Sequence, residues 1–330
     1  METFSGPVSR WTVKPLGLDV ADLLPLLGIG LLGGVVSWLC RAHPSIMPVW
    51  APWDFSWVEF LATALALWWF ARGLIRTPPD ERPAAWRQIC FVLGIGAIYA
   101  VLQTRLDYMM QHMFFLNRIQ HVVMHHFGPF LVALAWPGPT LKRGMPASLR
   151  RAVEGRAAAR AMAVVQQPVV AAFLFVGLFA FWLIPPVHFR AMIDPKLYAL
   201  MNWSMVVDGF LFWLLVLDPR PKPPARISTG ARAALAIGVM FPQIVLGASI
   251  TFAGFDLYSF YNLCGRLYPS IGALADQQLG GVVIWIPPAM MSVVALLVVL
   301  NALRRREDTT IEDSHDTRTL AIDASRWTGR

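Results

Sequence analysis

Apolar runs long enough to cross a bilayer follow one another along the chain near 22–40, 56–75, 86–104, 114–136, 167–185, 197–217, 231–252 and 280–301. Each reads as a helix of about twenty residues, because a helix satisfies its own backbone groups in lipid. The predicted fold class is all-α, a polytopic membrane helix bundle of about eight transmembrane helices with little folded mass outside the bilayer. An even number of crossings puts both termini on one side. One membrane-embedded domain is expected over 1–306, and the polar, charge-balanced stretch 307–330 reads as a disordered tail. Gly128 with Pro129, Pro242, and Pro287 with Pro288 interrupt the runs and predict kinks or close packing. The first run is too long for a signal-peptide core and no small-residue cleavage site is evident after it, so it reads as a retained helix.

Composition agrees with the pattern: 56% of the 330 residues are hydrophobic and only 15% charged, too apolar for a soluble core of this size. The net charge of +8 does not point to nucleic acid, because Lys and Arg lie in short segments between the apolar runs. Four clusters fall on alternate connections: Arg72 to Arg87, Lys142 to Arg160, Arg220 to Arg232, and Arg304 to Arg306. Positive loops stay cytoplasmic, so both termini are expected in the cytoplasm of a bacterial cell with the bundle in its inner membrane. Pro146 to Gln166 reads as an Arg-rich amphipathic helix at the inner surface or a solvated orientation signal, and PRPKPPAR as a stiff linker. Membrane lipid is the implied surrounding.

Only three cysteines occur, Cys40, Cys90 and Cys264, without a CxxC pair, so neither a zinc site nor a disulfide framework is signalled. The connections expected on the outer face hold Cys40, His43, Met47, Met109, Met110, His112, Met113, His188, Met192 and Cys264. Thiol, thioether and imidazole together suit Cu(I), although any one of them taken singly more readily caps a helix end at the interface.

The fourth run, QHMFFLNRIQHVVMHHFGPFLVALAWPG, carries polar groups deep into the hydrocarbon. Met113, Asn117, His121 and His125 are spaced by four and share one helical stripe, with Met124 beside it and His126 on another face. Such groups usually face a bundle interior or cavity. His121 and His125, one turn apart, can chelate one metal ion, with Met113, Met124 and His112 as further soft ligands on the way in; they can equally be interhelical hydrogen-bonding groups. Asp208, in the sixth run, is a lone intramembrane carboxylate able to orient His125 or relay a proton, while Asn202 and Gln243 suit interhelical hydrogen bonds.

Gln120, His121 and Pro129, followed much later by DQQLGGVVIWIPP over Asp276 to Pro288, resemble the CtaG family of membrane cytochrome c oxidase assembly factors. The likeness covers about 115–302, and DQQLGG is its most specific piece. It implies an assembly factor for a caa-type haem–copper oxidase, with no turnover of its own, the oxidase subunits as partners, and Cu(I) held or delivered for the catalytic subunit. The family's usual His four residues before the QH histidine is Asn117 here, and its acidic–His pair in helix six is Asn202 and Trp203. Asp276, Gln277 and Gln278 stand at the mouth of the last helix, suited to capping it, to tying down neighbouring loops, or to direct binding. Two other classes remain open on the residues: a copper or small-solute transporter using the helix-four stripe, and a redox protein holding haem or quinone.

Overall fold

A computed structural model describes the backbone of residues 12–13 and 18–325 and the side chains of 23–305. A two-residue ladder, Thr12–Val13 against Leu18–Asp19, precedes an all-helical chain. The helices are α1 Val20–Ala42, α2 Trp57–Ile75, α3 Ala85–Gln103, α4 Arg105–Met110, α5 Phe114–Val122, α6 Gly128–Ala135, α7 Gly138–Gly144, α8 Ala147–Glu154 and α9 Arg156–Val165. They continue as α10 Pro168–Leu183, α11 Pro185–Ile193, α12 Pro195–Val216, α13 Thr229–Gly238, α14 Met240–Thr251 and α15 Ala273–Ser325.

Among the described residues, six segments are individually long and apolar enough to cross a membrane: 23–42, 57–75, 85–103, 195–216, 229–251 and 273–305. The other two expected crossings are helical but segmented. α5 and α6 are joined by a π-turn over Val123–Phe127, and α10 is 16 residues long. The cause of the π-turn lies in the sequence: Pro129 has no N–H for the carbonyl of His125, and Gly128 donates instead to Val123, five residues back. The other prolines behave differently. Pro242 sits in the first turn of α14, just past the break after Gly238, whereas Pro287 and Pro288 lie inside an unbroken α15.

Two expectations change. The helix predicted over Pro146 to Gln166 is two helices, because Gly155 adopts an extended conformation between α8 and α9. α9 lies at 70° to α10, running away from the axis of its neighbour. The 307–330 stretch, expected to be disordered, continues α15 in backbone as far as Ser325; its side chains lie outside the described residues.

The positive clusters gather at one end. Arg72 and Arg76 donate to the carbonyls of Gly144 and Arg143, and Arg143 pairs with Glu81 at 2.7 Å. Arg87, Arg232 and Arg305 line one cavity with Asp218. Arg232 is buried there and donates to Asp218, Arg220 and Ile227 carbonyls, holding the Pro-rich linker. At the opposite, Arg-poor end, α4, α11 and the 252–272 loop cover the start of α5.

Glycines set the closest approaches. A Cβ on Gly281 of α15 would meet Thr251 N at 2.6 Å, and one on Gly247 would meet Trp285 Cδ1 at 2.6 Å, so α14 and α15 cross almost backbone to backbone. α1 stands apart, only 17% of its apolar window being buried. The interior therefore belongs to α3, α5–α6, α10, α12, α13–α14 and α15, around the polar groups of α5 and the π-turn.

Candidate functional site

Two groups of buried polar side chains occupy the bundle axis, one on the π-turn and one on α5. On the π-turn, the His125 and His126 rings touch, Nδ1 to Nδ1 at 3.3 Å. His125 Nε2 lies 3.0 Å from Asp208 Oδ2 of α12, and Gln243 Nε2 of α14 lies 3.1 Å from His126 Nε2. One assignment of protons satisfies every ring nitrogen. Gln243 donates to His126 Nε2, His126 Nδ1–H donates to His125 Nδ1, and His125 Nε2–H donates to Asp208. The His125 ring also stacks on Phe175, centroids 4.1 Å apart. The sequence spacing put His126 on a different face from His125; the π-turn widens the helix at this point, and the two rings become one hydrogen-bonded unit.

His121, four residues earlier, is the reverse. It is 0% exposed and neither ring nitrogen has a hydrogen-bond partner. The titratable groups facing it are Arg118, His188 and His125. Burying an imidazole without partners costs free energy, so the ring is held here by the rest of the fold rather than by its own bonds.

Around it, Gln120 ties three elements: its Nε2 donates to the Val101 carbonyl of α3 at 2.9 Å and to Asp107 of α4 at 2.6 Å, and its Oε1 accepts from Tyr198 of α12 at 3.2 Å. Tyr198 also donates to Asp107 at 2.7 Å. Burial pushes the Asp107 carboxyl above the usual carboxylate range, although its three hydrogen bonds oppose the shift. Asn117, standing where the family resemblance leads one to expect a His, accepts from Arg118, and its amide nitrogen lies 3.9 Å from Met192 Sδ and 3.4 Å from Gln120 Oε1.

The proposed soft ligands separate. Met113 is buried at the start of α5, and Met124 is buried with Ile98, Val101 and Val206 in an apolar cluster against α3. His112 is outside the interior, its Nδ1 2.8 Å from the Tyr108 carbonyl. Among the described residues, no three His, Cys, Asp or Glu side chains converge as a metal site. Cys40, Cys90 and Cys264 are free thiols; Cys40 donates to the Pro52 carbonyl at 3.0 Å.

The DQQLGG segment holds helices together. Asp276 caps α5 instead of its own helix: its carboxylate accepts from Phe114 N at 3.0 Å and Phe115 N at 2.8 Å and pairs with Arg266 at 3.0 Å. Gln277 accepts from Leu257 N at 2.6 Å and donates to the carbonyls of Ile250 and Phe255, pinning the 252–257 stretch. Gln278 is exposed. Gly280 admits Phe114, whose ring would lie 2.3 Å from an added Cβ.

Sequence reasoning passed over Arg118, which is 0% exposed with Nε and Nη1 unpartnered, although an Arg inside an apolar run is itself a signal of function. It also left His188 among scattered loop ligands. His188, on the connecting helix α11, is 1% exposed, and its Nε2 lies 2.8 Å from the Tyr261 hydroxyl. Burial, and then the Arg118 charge, hold the His188 imidazole well below its ordinary range. Burial pushes the Tyr258 hydroxyl up to about 12, and Tyr261 higher still.

A family model described as cytochrome c oxidase caa3 assembly factor matches residues 61–306. The match begins in α2, well before the residues that carry the resemblance in the sequence, and takes in every side chain of both polar groups. No curated protein and no solved structure matches the chain.

Proposed function

The chain belongs to the cytochrome c oxidase caa3 assembly factor family, and from that premise we propose that it holds Cu(I) at His121 for the catalytic subunit of a haem–copper oxidase during assembly. The observation that carries the metal half is the His121 ring, enclosed by the bundle with both nitrogens free of hydrogen bonds. A soft cation supplies the partner that the fold does not, and a thioether, that of Met192, lies against Asn117, one turn before His121.

His125 takes a different part from the chelating one that its spacing suggests. With both ring nitrogens engaged, it serves as a buttress one turn below His121. The protein acts without turnover, as a membrane-embedded partner of the oxidase subunits. Its Arg-rich end faces the cytoplasm of a bacterial cell, and the start of α5 lies toward the opposite side.

Deleting the protein should lower assembled, copper-replete oxidase while transcription of its subunits is unchanged. In purified protein under reducing conditions, His121→Ala should remove most of the bound copper per folded molecule, while His125→Ala retains it. Equal copper in parent and His121→Ala, or none in either, would sink the metal half. Copper uptake into vesicles with normal oxidase assembly in the deletion would instead identify a transporter.

A further inference from the structure

The Arg-rich end holds a cavity of about 420 Å³ whose lining is apolar at one level and cationic at another. Leu134, Leu217, Val298 and Val299 supply apolar wall, while Arg87, Arg232 and Arg305 line it together with Asp218. On α15 the step from Val298 to Arg305 alone covers about 10 Å along the axis, so the cations stand further out than the apolar wall. The cavity also sits at the level where spans end. The span 85–103 begins beside it with Trp86 and Arg87, the span 229–251 with Thr229 and Arg232, and the span 273–305 ends there with Asn301 and Arg305. Trp86 is 51% exposed, where an indole marks a bilayer interface.

Three guanidinium groups and one carboxylate line the cavity, and that carboxylate is turned to a residue outside the lining: the Asp218 oxygens accept from Arg220 at 3.0 and 2.8 Å. Arg232 is buried and donates to three backbone carbonyls, which fix its charge in position before anything binds. Arg87 is half-buried, its guanidinium 5.2 Å from the Trp86 ring centroid, and Arg305 is exposed, so both reach the cavity from its open side. An orientation signal needs only positive charge on one side of the membrane and no cleft. Here cations from α3, α13 and α15 converge at the mouth of an apolar one, the two-part character of a site for an anionic lipid.

We propose that this cavity binds a membrane phospholipid with an anionic head group, its phosphate satisfied by Arg87, Arg232 and Arg305 and the upper part of one acyl chain lying against Leu134, Val298 and Val299. The guanidinium fork suits phosphate oxygens, and the cavity volume suits a head group with the first part of a tail, the remainder staying in the bilayer. A lipid seated there ties α3, α13 and α15 together at one end of the bundle. The site is separate from Cu(I) binding at His121 and does not depend on it.

The test uses the full chain in dodecylmaltoside micelles, with thermal unfolding followed by tryptophan fluorescence as lipid is added. Dioleoyl phosphatidylglycerol should raise the midpoint saturably by about 4 °C, whereas dioleoyl phosphatidylcholine, with the same tails and no net charge, should raise it by less than about 1 °C. Glycerol 3-phosphate, a head without tails, should act only at far higher concentration. Arg87→Gln and Arg305→Gln should each weaken the phosphatidylglycerol response about tenfold, and the double variant should lose it. Arg150→Gln, which removes an exposed charge of the same sign on α8 outside the cavity lining, should keep it. Ala302→Trp, which fills the cavity and leaves its charges, should also lose the response, and the two Arg variants carry the test if it does not fold. A shift that survives in the double Arg variant, an equal shift from phosphatidylcholine, or none from phosphatidylglycerol overturns the proposal. Equal losses in Arg150→Gln and Arg87→Gln would show a diffuse attraction to the Arg-rich end, and glycerol 3-phosphate matching phosphatidylglycerol would show a site for soluble phosphates; either result overturns it as well.

Discussion

The π-turn and the helix before it bury the same chemistry to opposite effect. His125 and His126 are as enclosed as His121, yet their four ring nitrogens form a closed series from Gln243 to Asp208, whereas His121 and neighbouring Arg118 keep four unpartnered nitrogen atoms between them. Burial alone therefore says little about role. A buried polar group that is fully satisfied gives the core a unique arrangement, and one left unsatisfied is a cost that a ligand can remove. The difference assigns structure to the π-turn and binding to α5.

Substitutions can break that contrast. The largest loss of stability should come from Gly209→Ala, because its Cβ would lie 2.4 Å from the carbonyl oxygen of His125 and 2.9 Å from Pro129, neither of which can rotate aside. Pushing α12 off the π-turn should cost about 3 kcal/mol, measured by unfolding in mixed micelles. A cost under about 0.5 kcal/mol would mean that α12 is not seated against the turn as described. Next, Asp208→Leu leaves His125 Nε2–H without an acceptor in the interior and should cost about 2 kcal/mol. Asp208→Asn, which keeps an acceptor, should recover most of that, and equal losses in the two variants would show that the hydrogen bond is not what matters. The smallest effect on stability should be that of His121→Leu, within about 0.5 kcal/mol of the parent or slightly stabilising, since no hydrogen bond is lost. A loss as large as that of Asp208→Leu would place His121 with the structural group and end the contrast.

Much of the fold was legible in the residues, and the reason is local. The apolar runs marked the helices, and the Arg and Lys clusters marked one end of the bundle, where Arg143 meets Glu81 and Arg87, Arg232 and Arg305 share a cavity. The candidate site was legible only as a list of polar groups in the wrong medium. His121, His125, Asn117, Gln120, Asp208 and Gln243 all lie in the interior, as their place in apolar runs implied. Their pairing did not follow. Met124 shares a helix segment with His125 but faces α3, and His112 is half-buried before the start of α5 with its ring on a backbone carbonyl. Asp276 caps α5 rather than α15, because the last helix passes beside the start of α5 at Gly280.

Taken alone, the sequence determined the class of protein, the course of its helices, the likeness of DQQLGG to an assembly-factor family, and, Arg118 apart, the main polar side chains stranded in the membrane. These follow from runs of neighbouring residues measured against the thickness of a bilayer. Only the tertiary structure decided which stranded groups find partners. The contacts that settle it join residues far apart, 83 positions between His125 and Asp208, 117 between His126 and Gln243, and 162 between Phe114 and Asp276. A helical register that Pro129 alters by a π-turn then decides which face each ring presents, and no periodic reading of the chain carries that shift.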